Sequence, residues 1–337
     1  MKRALLLAFS LTTALVSSAH AADGPYKVLK SFKMPDGGWD YATSDMRKNL
    51  VYWVRGDHTD VINGKTGAVT SLSSTGNGHM AVVVEGTSLV VVPMRTPAKT
   101  NRIVDTANDK VVADVGGGDA PDGAIFDPLS KHVFSINHNS SDATEIDPKT
   151  NSVVATIAIG GGKLEFPAAD GAGHVFVNVQ AAGEIAVIDV KEHKVFVKFK
   201  MNGCEDAAGL AYATKSKILI ASCGNGMAKF IDPSSGRELA SIPIGKGADA
   251  VIYDPKHQIA FIPCGEDGVV EVFDVQNSKK ISKLQSLKTA PLARTGAVDA
   301  DGRLYLMAAE PDPSKPKGGG GRPTPKDGSY QMVVVGR

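Results

Sequence analysis

An apolar residue followed by Asp or Asn, a short polar turn and a β-branched run recurs six times along this chain. The anchor residues lie 42 or 43 positions apart and are Asn63, Asp105, Asp147, Asp189, Asp232 and Asp274. A fixed period of this length is typical of stacked supersecondary units, because one such unit cannot bury its apolar face alone. The chain is therefore predicted to be a repeat protein.

The unit around Asp147 contains four short strand-like segments. They span 123–127, 132–136, 143–146 and 152–157, and the turn Asp147-Pro148-Lys149-Thr150 precedes the last of them. Asp caps nearby backbone groups and Pro presets φ, so this tetrapeptide predicts a tight turn. Four short strands in a unit of this length predict one blade of a β-propeller.

The two ends of the chain are predicted to complete the ring. A seventh outer strand is expected at 26–32, and the last strand, 331–335, has no strand after it. Pairing these two segments closes seven four-stranded blades and removes an open sheet edge. We expect an all-β, seven-bladed propeller domain over 22–337. A Pro/Gly-rich insertion at 311–328 separates the second and third strands of the last blade, and its composition fits either a mobile loop or a flap over a binding face.

The repeats also carry a family resemblance. The units at 104–113 and 146–157 resemble the YVTN-type repeat of the YncE-like propeller family, and 203–210 and 293–299 are similar to segments of its periplasmic members. The resemblance extends over nearly the whole mature chain. It implies a secreted seven-bladed propeller but no single reaction, because fold and function are separate inferences.

The N-terminus predicts export. Lys2 and Arg3 precede an apolar stretch, and Ala19-His20-Ala21 resembles a cleavage site, so residues 1–21 are predicted to be a signal peptide cleaved near Ala21/Ala22. The apolar stretch is too short to span a bilayer, so we expect release into the periplasm or outside the cell rather than anchoring. We also expect the protein to be a monomer. Loss of Lys2 and Arg3 changes the net charge from +1 to about −1, whereas nucleic-acid binders normally have a basic excess.

Three cysteines enter this oxidising compartment, so at most one intrachain disulfide forms. The hairpin of blade five is expected to place Cys223 opposite about Ala207, close to Cys204, which favours a Cys204–Cys223 bridge. The rival is a bridge between Cys223 and Cys264, which occupy equivalent positions of adjacent blades and so usually lie beyond disulfide reach. Cys264 is then expected to be a buried free thiol.

The repeats predict where a site lies, because every inner strand starts at the same rim of the central channel. The position ten residues before the second strand reads, from blade one to blade seven, Asp40, His79, Asp122, Glu165, Ala208, Asp249 and Arg294. Six of the seven are ionisable, and Glu205 and Asp206 precede Ala208 closely enough to replace the missing carboxylate. Convergent polar groups in a concavity predict a ligand-binding rim.

A second set is predicted on the same face, at the ends of the second strands. Its members are Arg55, Met94, Asn137, Gln180, Cys223, Cys264 and Ala309, with His58, Arg95, His138, Asn225, Glu266 and Glu310 in nearby loops. The mixture of donors, acceptors and cations predicts a recognition surface. His132, His174 and His257 are expected on the opposite face as surface residues.

These residues favour a propeller that binds a small molecule or a periplasmic protein, without chemistry of its own. The alternative is a metal-assisted lactone or ester hydrolase, as in gluconolactonase-type propellers. In that reading Asp40, Asp122, Glu165 and Asp249 hold a divalent cation such as Ca²⁺, while His79 is a ligand or base and Arg294 an electrophilic clamp. Single-stranded nucleic-acid binding, as proposed for the YncE type member, is disfavoured by the acidic rim.

Overall fold

The computed structural model describes residues 24–318 and 321–337, and the predicted signal peptide, residues 1–21, lies outside the described residues. The described residues form seven four-stranded antiparallel sheets arranged in a ring. We call each sheet a blade and number the blades in chain order. The predicted all-β, seven-bladed fold is confirmed.

The first four blades have the following strands. Blade one consists of β2 (Trp39–Asp45), β3 (Leu50–Arg55), β4 (Thr59–Asn63) and β5 (Val69–Leu72), followed by a short 3₁₀-helix at Ser73–Thr75. Blade two consists of β6 (Val82–Val83), β7 (Leu89–Met94), β8 (Thr100–Asp105) and β9 (Lys110–Gly116). Blade three consists of β10 (Pro121–Phe126), β11 (Val133–Asn137), β12 (Asp142–Asp147) and β13 (Ser152–Ala158). Blade four consists of β14 (Leu164–Ala169), β15 (His174–Val179), β16 (Glu184–Asp189) and β17 (Lys194–Lys200).

The last three blades complete the ring. Blade five consists of β18 (Ala207–Ala213), β19 (Ile218–Cys223), β20 (Met227–Ile231) and β21 (Glu238–Pro243). Blade six consists of β22 (Ile252–Asp254), β23 (Ile259–Cys264), β24 (Val269–Asp274) and β25 (Ser282–Lys288). Blade seven consists of β26 (Gly296–Val298), β27 (Leu304–Ala308), β28 (Gln331–Gly336) and, as its outer strand, β1 (Lys27–Lys33).

The chain termini close the ring as predicted. β1 pairs antiparallel with β28, from Lys27 opposite Gly336 to Lys33 opposite Gln331. The first strand of each blade is innermost, and it contacts the first strand of the next blade all the way round, including β26 against β2. Residues far apart in the chain therefore meet around one channel.

The turn chemistry explains why the repeats share one geometry. In blade three the Asp147 carboxylate accepts hydrogen bonds from the Lys149 backbone N–H and the Thr150 hydroxyl, each at 2.8 Å. Asn151 then adopts a positive φ of 56°, a conformation that Asn tolerates better than most residues. The acidic anchors of the repeat are thus turn residues.

The hydrophobic core lies between adjacent blades. For example, Phe230 of β20 and Phe273 of β24 pack edge to face with ring centroids 5.2 Å apart, among buried Ile and Ala residues of blades five and six. Such contacts combine area burial with a favourable aromatic geometry. Both blades supply residues to this cluster, so neither blade buries its apolar face alone.

The cysteines behave as predicted. A disulfide joins Cys204 to Cys223, with Cα atoms 5.3 Å apart, and Ala207 is the register partner of Cys223. Cys264 is free and buried, and burial raises the pKa of its thiol to about 12. Within residues 24–318 and 321–337, no helix is long and apolar enough to cross a membrane.

Candidate ligand-binding site at the channel rim

Three of the six ionisable rim residues occupy a repeated irregularity of the inner strands. In blades one, three and four, the register between the inner and second strands shifts across Asp40, Asp122 and Glu165. Blade five has the same shift at Ala208. A β-bulge bends a strand and re-aims a side chain. In blades one, three and four the irregularity therefore falls at the position of the rim carboxylate.

His79 links the carboxylates of its two neighbouring blades. Its Nδ1 lies 3.1 Å from Asp40 Oδ2 and 2.9 Å from Asp122 Oδ1, and Arg95 forms a further ion pair with Asp40. Burial alone lowers the pKa of His79, but hydrogen bonds to Asp122 and Asp40 and their negative charges outweigh it and raise the pKa to about 9. His79 is therefore an imidazolium at neutral pH, shared between three blades.

Asp249 is held between two guanidinium groups. Arg294 Nε lies 3.1 Å from Asp249 Oδ2, and Arg322 Nη2 lies 2.8 Å from Asp249 Oδ1. Arg294 also stacks over the Trp39 ring at 5.2 Å and donates to the Trp39 carbonyl. Burial nevertheless raises the pKa of Asp249 above its usual value.

The negative charge of Glu165 would be less well paired than the charges of the other rim acids. Its side chain is buried, and its ion-pair contact is with His138 Nδ1, 3.5 Å from Oε1. Burial, followed by the charges of Asp122 and Asp249, raises the pKa of Glu165 to about 9. The carboxyl is therefore protonated at neutral pH and available as a hydrogen-bond donor.

An aromatic layer accompanies the charged level. Tyr41, directly after Asp40, is buried and packs against Phe166 of blade four with ring centroids 4.9 Å apart. Burial raises the pKa of Tyr41 well above its usual value, and the charges of Asp249, Asp122, Glu165 and Asp40 add to that rise. Carboxylates from four blades thus act on one phenol, which places them around one point of the channel.

Several predicted residues have other contacts. The Arg55 guanidinium is buried, with Nη1 paired to Asp60 at 2.9 Å and its other nitrogens donating to the carbonyls of Gly38 and Pro35. Through these contacts the Arg55 side chain stabilises blade one.

Three other predicted residues form no ion pair with the rim charges among the described residues. The buried Asn137 amide donates to Asp142 and Thr144 within blade three. Gln180 is half-buried, and its backbone N–H donates to the Lys163 carbonyl. Asp206 is exposed, and no ion pair joins it to the rim among the described residues. The rim charges therefore come from six blades and not from blade five.

Three of the four predicted metal ligands lie in groups suited to a cation. The donor atoms of Asp40, His79 and Asp122 lie within 4.8 Å of one another, as do those of Asp122, His138 and Glu165. Within the described chain, Asp249 belongs to neither group, and its oxygens contact Arg294 and Arg322 instead.

The histidines of the opposite face are paired with acids. His132 Nδ1 and His193 Nδ1 each lie 2.6 Å from a different oxygen of Glu145, whose carboxylate is buried between blades three and four. A shallow pocket of about 470 Å³ lies beside them and includes His174, while His257 pairs with Asp254. The His193–Glu145 contact joins blades three and four, whereas His132–Glu145 and His257–Asp254 lie within blades three and six.

Arg322 is the rim residue that the sequence pattern missed. It belongs to the insertion between β27 and β28, outside the repeat period, so no register argument reaches it. Its contact with Asp249, 73 positions away in the chain, places part of the insertion at the rim.

Comparison with solved structures agrees with the fold. The RRP9 WD40 repeats match with a TM-score of 0.76 and 11% identity, over 94% of this chain and 100% of theirs. The structure of U3-55K matches at 0.75 and 11%, over 92% and 98% of the two chains. A hydrazine synthase chain from Kuenenia stuttgartiensis matches at 0.69 and 13%, over 87% and 96%. No protein-family model and no curated sequence matches.

At these identities the likeness establishes the fold alone. The chain is a seven-bladed β-propeller, a class of scaffold that presents converging loops to a ligand or to a protein.

Proposed function

We propose that this chain is a secreted, monomeric propeller, related to the YncE-like family, that binds a small ligand or a periplasmic protein at its charged rim without chemistry of its own. The carrying observation is the convergence of Asp40, His79, Asp122, Glu165, Asp249 and Arg294 from six blades on one channel mouth. Separate surface charges normally stay solvated, so their shared burial supports a site.

The chemistry of the rim supports recognition of a polar ligand. It offers a protonated carboxyl at Glu165, charged carboxylates at Asp40 and Asp122, and guanidinium groups at Arg95 and Arg294. A ligand exchanges these internal ion pairs for its own contacts, above the aromatic layer of Tyr41 and Phe166. The near-zero net charge of the mature chain disfavours nucleic acid as that ligand.

The direct test is native mass spectrometry of the protein purified from its own cells. We expect a bound small molecule that is lost in Asp249→Asn, because that change removes the charge between Arg294 and Arg322. Asp301→Asn is the matched control, since Asp301 is exposed and pairs with Lys256 and Arg303 away from the rim. Retention of the molecule by a folded Asp249→Asn protein would contradict the proposal.

The second candidate is a metal-assisted lactone or ester hydrolase. It is favoured by the two donor groups that share Asp122, because carboxylate-rich sites suit Ca²⁺. In this reading Asp40, Asp122 and Glu165 hold the ion, His79 is a ligand or base and Arg294 polarises the substrate. A metal-free protein whose melting temperature does not respond to added Ca²⁺ or to a chelator would exclude it.

A further inference from the structure

The insertion of blade seven is anchored at its base. The Lys326 backbone N–H donates to the Glu310 carbonyl at 2.8 Å, and a bridge pairs Pro311 with Pro325. The Gly328 backbone N–H donates to the Asp36 carboxylate at 2.9 Å. These contacts fold the two arms of the insertion against each other beside the channel mouth.

Arg322 carries the contact between this insertion and the rim. Its Nη2 meets Asp249 Oδ1 at 2.8 Å, and its side chain keeps 51% of its surface exposed, whereas that of Asp249 keeps 9%. The other Asp249 oxygen is already taken by Arg294. Arg322 therefore makes a single-point contact, which is weaker than a two-pronged guanidinium–carboxylate pair.

Asp249 is the rim acid whose pairing depends on the insertion. Its Oδ2 is paired with Arg294 of blade seven, whereas its Oδ1 is paired with Arg322, which lies outside the repeats. The Asp249 side chain is buried, and a buried acceptor without a partner is costly. Asp249 Oδ1 is therefore the position at which the blades favour one positive group from outside the repeats.

We propose that the rim binds a guanidinium-bearing ligand, such as an arginine side chain of a peptide, and that Arg322 occupies the place of that group when no ligand is bound. This inference rests on the proposed binding function and names its ligand class. The incoming guanidinium replaces a group of the same shape and charge, so the rim keeps its charge balance in both states. The tether makes Arg322 a competitor at high local concentration, which lowers the apparent affinity for the ligand.

The test uses the peptide acetyl-Gly-Arg-Pro-amide, which copies Gly321-Arg322-Pro323, and the same peptide with neutral citrulline in place of arginine. Binding of both is measured by calorimetry to the wild-type protein and to Arg322→Gln. If Arg322 occupies the site nine-tenths of the time, its removal should tighten binding of the arginine peptide by about tenfold. Lys315→Gln is the control, because Lys315 is a cation of the same insertion that pairs with Asp327 instead. It should bind like wild type.

Three results would overturn the inference: equal affinity of wild type and Arg322→Gln, equal binding of the arginine and citrulline peptides, or undiminished binding of the arginine peptide to Asp249→Asn. An anionic probe, citrate, separates this failure from failure of the proposed function. If citrate binds and is lost in Arg294→Gln, the rim is a ligand site of the opposite charge preference. If neither probe responds to any rim variant, both proposals fall. Equal melting temperatures of wild type and Arg322→Gln show that folding is not the cause.

Discussion

Glu165 and His79 show how the ring changes the chemistry of single residues. Each is polar, yet burial among charges from other blades moves the pKa of both to about 9. For His79 the folded pKa lies above its usual 6.5, so its pairing stabilises the fold below that pH and is lost as the pH rises through 9. For Glu165 the folded pKa exceeds the usual 4.5, so ionisation costs stability progressively between 4.5 and 9.

Both shifts predict that the free energy of unfolding falls as the pH rises from about 5 to about 9, with each group contributing at most about 1.4 kcal/mol per pH unit. Glu165→Gln, which mimics the protonated carboxyl, should flatten this slope and leave stability near pH 5 unchanged. Urea unfolding across the pH range measures it. Glu192→Gln, at an exposed position of blade four, should keep the wild-type slope. Parallel curves for Glu165→Gln and wild type would show that Glu165 is ionised in the folded protein.

Residues at equivalent repeat positions need not share a role. Arg55 and Asn137 align with each other at the ends of second strands, but Arg55 donates to Asp60 and Asn137 donates to Thr144, each within its own blade. Asp122 and Asp249, one strand further in, contact groups from other blades. The position of a residue in the repeat predicts its height along the channel. The contacts of its side chain decide whether it is available to a ligand.

At the scale of the element, the inner hairpin of blade five differs from those of the other blades because it contains a disulfide. The Cys204–Cys223 disulfide joins the segment before β18 to the end of β19, next to the register shift between Ala207 and Leu210. It lies at the level where other blades place an ionisable group and where blade five has Ala208. The disulfide thus constrains the rim segment that lacks an ion pair.

Removal of this disulfide should destabilise the protein. The closed loop is short, with a separation of 19 residues, so the Cys204→Ala/Cys223→Ala variant should lose about 2–4 kcal/mol of the free energy of unfolding. Guanidinium unfolding of the oxidised protein measures this loss. A reducing agent should lower the stability of wild type towards that of the variant and leave the variant unchanged. Equal stability of the disulfide-bonded wild type and the Cys204→Ala/Cys223→Ala variant would show that the disulfide does not constrain the unfolded chain.

At the scale of the whole molecule, the ring depends on a single pairing between the chain ends. β1 pairs with β28 through six residue pairs, and the adjoining Tyr26 is buried against Phe261 of blade six. The strand itself is largely exposed. Its contribution is therefore less the burial of its own side chains than the link it makes between blades one and seven.

Deletion of residues 24–33 should lower the free energy of unfolding by at least about 3 kcal/mol, from roughly 0.5–1.5 kcal/mol for each lost hydrogen bond. A circular permutant isolates the closure. It begins at Met34 and carries residues 24–33 after Arg337, which already contacts Tyr26. It keeps the strand but loses the covalent link between blades, so it should unfold at a denaturant concentration between those of wild type and the deletion. A permutant as stable as wild type would show that closure adds nothing.

Most of the fold could be predicted from the sequence, because local residue patterns determine where the strands and turns of each repeat lie. The 42-residue period, the Asp turns and the unpaired end strands predicted seven blades and their closure, and the hairpin geometry predicted the disulfide. The rim position was also within reach, because an equivalent position in each repeat lies at an equivalent height around the ring.

What the sequence determined by itself was the repeat, the strand order and the level at which charges gather. Only the tertiary structure decided which charges neutralise one another: Asp40 and Asp122 share His79, Arg55 turns to Asp60, and Arg322 reaches Asp249. The physical reason is that pairing depends on distances of a few ångströms between groups from different blades. A periodic pattern carries no such information, least of all for an insertion that lies outside the period.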